Sequence, residues 1–169
     1  GATIFIPSEN EWYKAAYYNP AGSYNQYPFS SNTVPTSAMP GSTPNTGNFT
    51  TPSGAFAVTG STSYSGSQNY LTAVGAYTAS ASPYGLYDMG GDVFQLNESL
   101  ILGYRGLRGG SWAYGSNISQ SSDQFDDDPG FGSFFTVGFR VASTIPEPST
   151  AVLAIIACGL MWVLRKRFK

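Results

Sequence analysis

The opening residues, Ile4 to Tyr18, read IFIPSENEWYKAAYY. Ser8 followed three residues on by Glu11 is a capping box, with Pro7 just ahead of it, so the pattern predicts a helix beginning near Glu9. Trp12, Ala15 and Ala16 fall on one face at helical spacing and are predicted to point inward. From Asn19 to Pro83 the helical period disappears and turn punctuation takes over: Asn19-Pro20, Pro40-Gly41, Thr46-Gly47-Asn48, Ser53-Gly54 and Thr59-Gly60. Aromatic residues recur through this stretch (Tyr24, Tyr27, Phe29, Phe49, Phe56, Tyr64, Tyr70 and Tyr77). A compact domain seldom carries so long a structureless loop, so a coiled but packed segment with short strands is expected. Near the far end, alternation through Phe135-Thr136-Val137 predicts that Gly138-Phe139-Arg140 closes the core as a strand.

The last regime is apolar. Residues 150–164 read TAVLAIIACGLMWVL, fifteen residues without a charge, and RKRFK follows. As a helix this run covers roughly 22 Å, short of the ~30 Å of a hydrocarbon core, a gap that flanking residues and local thinning can close. A buried C-terminal core helix is the alternative that length alone allows. The absence of an amphipathic face and the closing basic cluster favour a stop-transfer segment with its C-terminus in the cytoplasm and residues 1–149 outside. Ahead of the run, Pro146-Glu147-Pro148 keeps the chain extended and exposed. Pro-Glu-Pro, a short apolar helix, then Arg165, Lys166 and Arg167 resemble the PEP-CTERM sorting signal of Gram-negative bacteria over residues 146–169. That resemblance implies recognition and cleavage by an exosortase-type sorting protease at the inner membrane, then delivery to the cell surface or extracellular matrix. It also implies an amino-terminal signal peptide, which residues from Gly1 onward do not display.

Composition narrows the chemistry. Aromatic residues make up 15% of the 169 residues and charged residues 11%, a mixture suited to an irregular, turn-rich fold packed by rings. There is no histidine, which removes imidazole acid–base catalysis, Ser-His-Asp and Cys-His mechanisms and His-ligated zinc. The single cysteine, Cys158, lies in the apolar run, so an intrachain disulfide is excluded. Residues 1–149 hold four basic residues (Lys14, Arg105, Arg108 and Arg140) against ten acidic ones, a net charge of −6. Such an acidic ectodomain is ill suited to nucleic acid; it suits a cation, a neutral sugar or a basic partner.

Four blocks stand in order: IPSENEWYKAA near the start, then SPYGLYDMGGDVFQLNE (Ser82–Glu98), RGLRGGSW (Arg105–Trp112) and GFRVA (Gly138–Ala142). Together they resemble the formylglycine-generating enzyme, or sulfatase-modifying factor, family across roughly residues 4–143. The resemblance implies an α+β, loop-rich fold, a variant of the C-type-lectin-like fold, to which this chain would add one C-terminal hydrophobic helix. It also implies that residues 1–143 are the C-terminal part of a larger domain. Residues 144–149 are then an extended linker, 150–164 the transmembrane or sorting helix, and 165–169 the basic cytoplasmic end.

The family's enzymes oxidise a substrate cysteine with copper held by two cysteines between the RGGSW and GFR blocks, a soft thiolate pair that suits Cu(I). Here Ala113–Val137 contains no cysteine. An ungapped count puts Ser119 and Gln124 in those places, neither of which supplies a thiolate, so no catalytic residue is assigned and copper is not expected. The resemblance implies a calcium site at Asp88, the carbonyls of Gly91 and Val93, and Gln95, the last standing where the family has glutamate. A second calcium site would use Asn48 and the carbonyl of Phe49. Alternatively, the Gly90-Gly91 turn folds without metal. Arg108–Trp112 reads either as a functional block or as an arginine and a tryptophan fixing loop geometry between glycines. Asp126, Asp127 and Asp128 form the densest charge run, which reads either as a solvated loop or, with Tyr114, Phe131 and Phe134, as the recognition surface for a ligand.

Three functions follow as expectations. The first is a surface-sorted, lectin-like module binding a matrix polysaccharide, peptide or surface protein over Tyr114–Phe134. The second is a formylglycine-generating oxidoreductase, and the third a passive structural component of an extracellular matrix.

Overall fold

A computed structural model describes residues 3–127 and 135–144. The elements run β1 (Ile4–Phe5), α1 (Glu9–Tyr17), β2 (Tyr18–Asn19), β3 (Ser23–Tyr24), β4 (Thr36–Ser37), β5 (Thr46–Gly47), β6 (Phe94–Ile101), β7 (Tyr104–Arg108), a 3-10 turn at Ser116–Ser119, β8 (Phe125–Asp127), β9 (Val137–Phe139) and β10 (Ala142–Ser143). The chain divides into two units. One comprises residues 1–5 and 142–169, in which β1 pairs antiparallel with β10. The other comprises residues 6–141 and carries everything described below. The sorting residues Pro146, Glu147, Pro148, Arg165, Lys166 and Arg167, and the apolar run between them, lie outside the described residues. Among the described residues no helix is long and apolar enough to cross a membrane.

The helix starts where the capping box puts it. The Ser8 hydroxyl accepts the Glu11 N–H at 3.4 Å, and a Glu11 carboxylate oxygen accepts the Ser8 N–H at 2.8 Å. Trp12 and Ala16 are fully buried, while Ala15 is only partly so. Tyr17 completes the inward face, and the three pack with Met89. Helix and strand meet at Gln95, whose Oε1 accepts Trp12 Nε1–H at 2.8 Å.

The main sheet has the order β8-β7-β6-β9. β6 and β7 form an antiparallel hairpin closed by Leu102 and Gly103, both at positive φ, the backbone that a two-residue hairpin turn needs. A bulge falls between Leu96 and Leu100. β9 joins β6 in parallel, with Gln95 opposite Gly138. The closing strand thus forms as its alternation predicts, but Phe139 is not core: it is 66% exposed, at the last residue of an edge strand.

Between β3 and β6 the chain is held by turns and by rings. Tyr27, Phe29, Phe49, Tyr70 and Tyr77 are buried and Phe56 is half-buried, whereas Tyr24 and Tyr64 are exposed. Both exposed rings rest on other rings: Tyr24 on Tyr13 and Tyr18, and Tyr64 on Tyr70. Aromatic contacts do here what an extended sheet does elsewhere.

Candidate functional site

Two cavities formed by described residues of the unit 6–141 bring the candidate residues together. The first, about 330 Å³, is bounded by Phe94, Leu107, Tyr114, Ile118, Phe125, Asp126, Thr136 and Val137. Phe94, from the start of β6, is its buried ring. Tyr114 and Phe125 each stand edge-on to it with centroids 5.5 Å away, and both are partly open to solvent. Of the recognition residues expected from the sequence, Tyr114 and Asp126 reach this cavity. Asp127 is described only as the last residue of β8, and Asp128, Phe131 and Phe134 lie outside the described residues. Consecutive side chains on a strand leave opposite faces, so Phe125 and Asp126 do not present theirs to the same side of the sheet. Phe94 and Phe125 were missed by sequence reasoning. Phe125 directly precedes the acidic run, and an aromatic there, read for strand alternation, was the available signal.

Next in sequence to Ile118, the position an ungapped count gives to one family cysteine is a buried serine. Ser119 is fully buried; its hydroxyl donates to the Ser116 carbonyl at 2.8 Å and its own carbonyl accepts the Tyr17 hydroxyl at 3.0 Å. Gln124 is exposed. Burial pushes the Tyr17 hydroxyl well above the ordinary tyrosine range, against the lowering effect of nearby Arg108.

The second cavity, about 500 Å³, is bordered by Asp88, Gly91, Val93 and Gln95, together with Asp92, Arg140 and an apolar rim that includes Tyr87 and Phe139. The four calcium-site positions implied by resemblance therefore share one concavity. Their backbone is fixed by glycine. Gly91 sits at φ +75°, and a Cβ there would stand 2.8 Å from the Asn48 carbonyl oxygen, a clash on top of a left-handed conformation. Gly109 plays the same part for the RGGSW block, at φ +90°, where an added Cβ would stand 2.8 Å from the Met89 carbonyl oxygen.

Whether a hard cation fits can be asked atom by atom. Asp88 Oδ2 accepts the Gly75 N–H, but Asp88 Oδ1 is buried without a hydrogen-bond partner among the described residues. Asn48 Oδ1 is in the same condition. Its Nδ2 donates to the Tyr70 carbonyl at 2.8 Å and to Asp92 Oδ1 at 2.7 Å, so the amide orientation is set by its acceptors. These two bare oxygens belong to the leading residue at each implied calcium site; Asn45 Oδ1 and Ser111 Oγ are bare as well, outside any implied ligand set. Gln95 fits less well: Oε1 accepts from both Trp12 Nε1 and Arg140 Nε, each at 2.8 Å, and Nε2 donates to the Asp88 carbonyl at 2.5 Å. The Phe49 carbonyl takes the Ala57 N–H at 3.3 Å. Arg140 Nη2 also donates to the Tyr87 carbonyl at 2.8 Å and the Asp88 carbonyl at 3.1 Å. Burial lowers the guanidinium's pKa from its usual value, and the Asp88 charge partly offsets this. Asp88 and Asn48 thus each keep one oxygen open while Gln95 and the Phe49 carbonyl are already engaged, and among the described residues no group of three or more Asp, Glu, His or Cys is gathered as metal ligands.

Asp92, which sequence reasoning passed over, organises the region. Its Oδ1 accepts from Asn48 Nδ2, from the Thr72 N–H at 2.9 Å and from the Thr72 hydroxyl at 3.1 Å. Its N–H donates to the Asn48 carbonyl and its carbonyl accepts the Trp112 N–H. Asp92 also has positive φ, 61°, which aspartate tolerates better than most residues. Arg108 likewise acts within the fold. It pairs with Glu9 at 2.6 Å, donates to the carbonyls of Ser121 and Asp123, and lies over the Tyr13 ring.

Comparison with known proteins gives this geometry a context. The family described as "Sulfatase-modifying factor enzyme 1-like domain" matches residues 4–145. Among solved structures, CarF is similar at 21% identity and a TM-score of 0.54, covering 84% of this chain and 48% of CarF. Variable protein 1 of Treponema denticola is similar at 19% identity and a TM-score of 0.49, covering 83% of this chain and 47% of that protein. The chain spans about half the length of the solved structures it matches. No curated protein matches it. By a match spanning nearly all of its described residues, the chain belongs to the sulfatase-modifying factor enzyme 1-like domain family.

Proposed function

We propose that this chain is an exported protein, sorted through its PEP-CTERM-type tail, whose lectin-like domain binds an extracellular ligand or matrix component instead of oxidising a cysteine. The observation that carries the reading is the aromatic cavity at Phe94, Tyr114 and Phe125, with the residue standing in for a thiolate, Ser119, buried and hydrogen-bonded. Partly exposed rings around a concavity suit recognition. Formylglycine chemistry needs a metal held by soft sulfur, and residues 113–137 supply none. Calcium, held by Asp88 and Asn48, would order the loops that carry the cavity; it supplies charge neutralisation and no reaction step. Tyr114 and the Asp126–Asp128 run with Phe131 and Phe134 make the contact surface in this reading.

The test uses the full chain in detergent, screened against extracellular polysaccharides and surface-protein extracts with calcium and again with chelator. Saturable binding lost in Tyr114→Ala supports the module. Family membership favours the oxidoreductase as the second reading. Its signature is aldehyde formation on a cysteine-containing peptide in the presence of copper, and that product with the wild-type chain would overturn the binding proposal. A folded chain that neither binds nor oxidises leaves the matrix-structural role.

A further inference from the structure

Four rings, Phe56, Tyr64, Tyr70 and Phe135, gather around Trp112, none of them shared with the Phe94 cavity. Tyr70 stacks on Trp112 with centroids 4.4 Å apart and planes 12° from parallel. Tyr64 lies 5.4 Å from Tyr70 and 6.1 Å from Trp112, within 20° of parallel to each. In a column of three rings at the ~3.5 Å contact distance of carbon atoms, the outer two would stand roughly 7 Å apart. The observed 6.1 Å is shorter, so Tyr64 and Trp112 lie side by side against the same face of Tyr70. Phe135 completes the group, 6.2 Å from both Tyr64 and Trp112. Tyr70 and Trp112 are buried, whereas Tyr64 and Phe135 are 58% and 57% exposed.

Each exposed ring is pinned through the backbone to a buried one. The N–H of Ser65, next to Tyr64, donates to the Tyr70 hydroxyl at 2.7 Å. The Phe135 carbonyl accepts Trp112 Nε1–H at 3.1 Å. Two exposed aromatic rings 6.2 Å apart and 29° from parallel are therefore held in place before any ligand arrives, which lowers the ordering cost of binding. The stretch that carries Tyr64 and Tyr70 is uncharged: from Ala15 to Tyr87, 73 residues, the chain contains no Asp, Glu, Lys or Arg, and the Asp92 carboxylate next to it is taken up by Asn48 and Thr72. The loop that carries Tyr64, residues 61–69, offers hydroxyls and amides instead.

We propose that Tyr64 and Phe135 form a stacking platform for a neutral polysaccharide strand. A sugar ring presents an apolar C–H face to an aromatic ring and hydroxyls at its edge, and the platform supplies both counterparts. With the Tyr64 loop uncharged and the Asp92 carboxylate already hydrogen-bonded to Asn48 and Thr72, the platform presents no cation to a uronate. The site shares no ring with the Phe94 cavity, and it stands whether or not that cavity binds a ligand.

The experiment is titration calorimetry of the full chain in detergent against neutral glucan, mannan and galactan hexasaccharides, with a polyuronate hexasaccharide as the charged comparison. The expected result is saturable binding of at least one neutral oligosaccharide and at least tenfold weaker binding of the uronate. Tyr64→Leu and Phe135→Ala each lower the neutral affinity at least tenfold, and Tyr64→Phe retains it. Near-ultraviolet circular dichroism verifies that Tyr64→Leu is folded, and Tyr64→Phe separates loss of the ring from loss of the hydroxyl. No binding to any neutral oligosaccharide, equal binding of the uronate, or affinity untouched by both ring removals would overturn the proposal. Loss in Tyr114→Ala with none in Tyr64→Leu would assign the sugar to the other cavity.

Discussion

Arg108 and Glu9, 99 residues apart in sequence, form an ion pair with Arg108 Nη2 2.6 Å from Glu9 Oε1. The Arg108 side chain is 7% exposed and that of Glu9 19%. Glu9 is also the first residue of α1, and its other oxygen accepts Asn97 Nδ2–H at 2.6 Å. One carboxylate therefore ties the helix start to β6 and β7, and Arg108 carries the link on to the carbonyls of Ser121 and Asp123. Breaking such a pair from one side strands a buried charge, at a cost of about 3–5 kcal/mol. Glu9→Ala is expected to lower the urea midpoint accordingly, because it leaves the Arg108 guanidinium, 7% exposed, without its counter-charge. A Glu9→Ala change within about 0.5 kcal/mol of wild type, the range of ordinary surface substitutions, would show that the pair is solvated.

The helix cap gives a prediction in acid. The Ser8 side chain, then the Ser8 backbone, hydrogen-bonds the Glu11 carboxylate and holds its pKa below the usual range. A folded-state pKa below the unfolded one contributes stability present above the unfolded value, near 4.3, and lost as pH falls through the folded value. Ser8→Ala is expected to cost about 1 kcal/mol at neutral pH. It should also flatten the decline of stability below pH ~4, read from urea midpoints at pH 7, 5 and 3.

At the alkaline end the sign reverses. Burial holds the Tyr17 hydroxyl above its ordinary pKa, and its proton goes to the Ser119 carbonyl at 3.0 Å. Below the unfolded tyrosine value, near 10, the contribution is fully present; it is lost as pH rises toward the folded value, because only the unfolded chain ionises easily. Stability should fall between pH 9 and pH 11. Tyr17→Phe should lose about 1 kcal/mol at neutral pH, the worth of one hydrogen bond, and shed part of the alkaline slope.

What could be read from the sequence was local. Ser8 and Glu11 specify a cap through hydrogen bonds spanning three residues, and α1 begins at Glu9 as that cap requires. The four ordered blocks carried the family, which the match over residues 4–145 shows. The roles of individual residues depended on partners far along the chain. Nothing near Gln95 announces that its Oε1 serves Trp12, 83 residues away, and Arg140, 45 away. Alternation marked Phe135–Arg140 as a strand but not its place at the sheet edge, so Phe139 was expected in the core and lies exposed. The cavity walls Phe94 and Phe125 likewise meet only once β6 and β8 are brought into one sheet.

Asp88 Oδ1 supplies the last prediction. A buried carboxylate oxygen without a donor costs about 1–3 kcal/mol or more, and a hard cation relieves that cost by direct ligation. Arg140 offers partial compensation, but its N–H groups go to Gln95 Oε1 and to the backbone oxygens of Tyr87 and Asp88. Calcium at a hundredfold excess over its Kd would therefore stabilise the chain by about 2.7 kcal/mol, a rise of several degrees in Tm that chelator reverses. Asp88→Asn should abolish that increment. Gln95→Glu keeps acceptors for Trp12 and Arg140, gives up the donor to the Asp88 carbonyl, and adds a second carboxylate to the concavity. Calcium affinity is then expected to rise on the order of tenfold, since affinity at such sites follows the charge of the ligand set. A melting temperature indifferent to both calcium and chelator, in wild type and in Gln95→Glu alike, would mean that the Arg140 guanidinium supplies all the positive charge this loop uses.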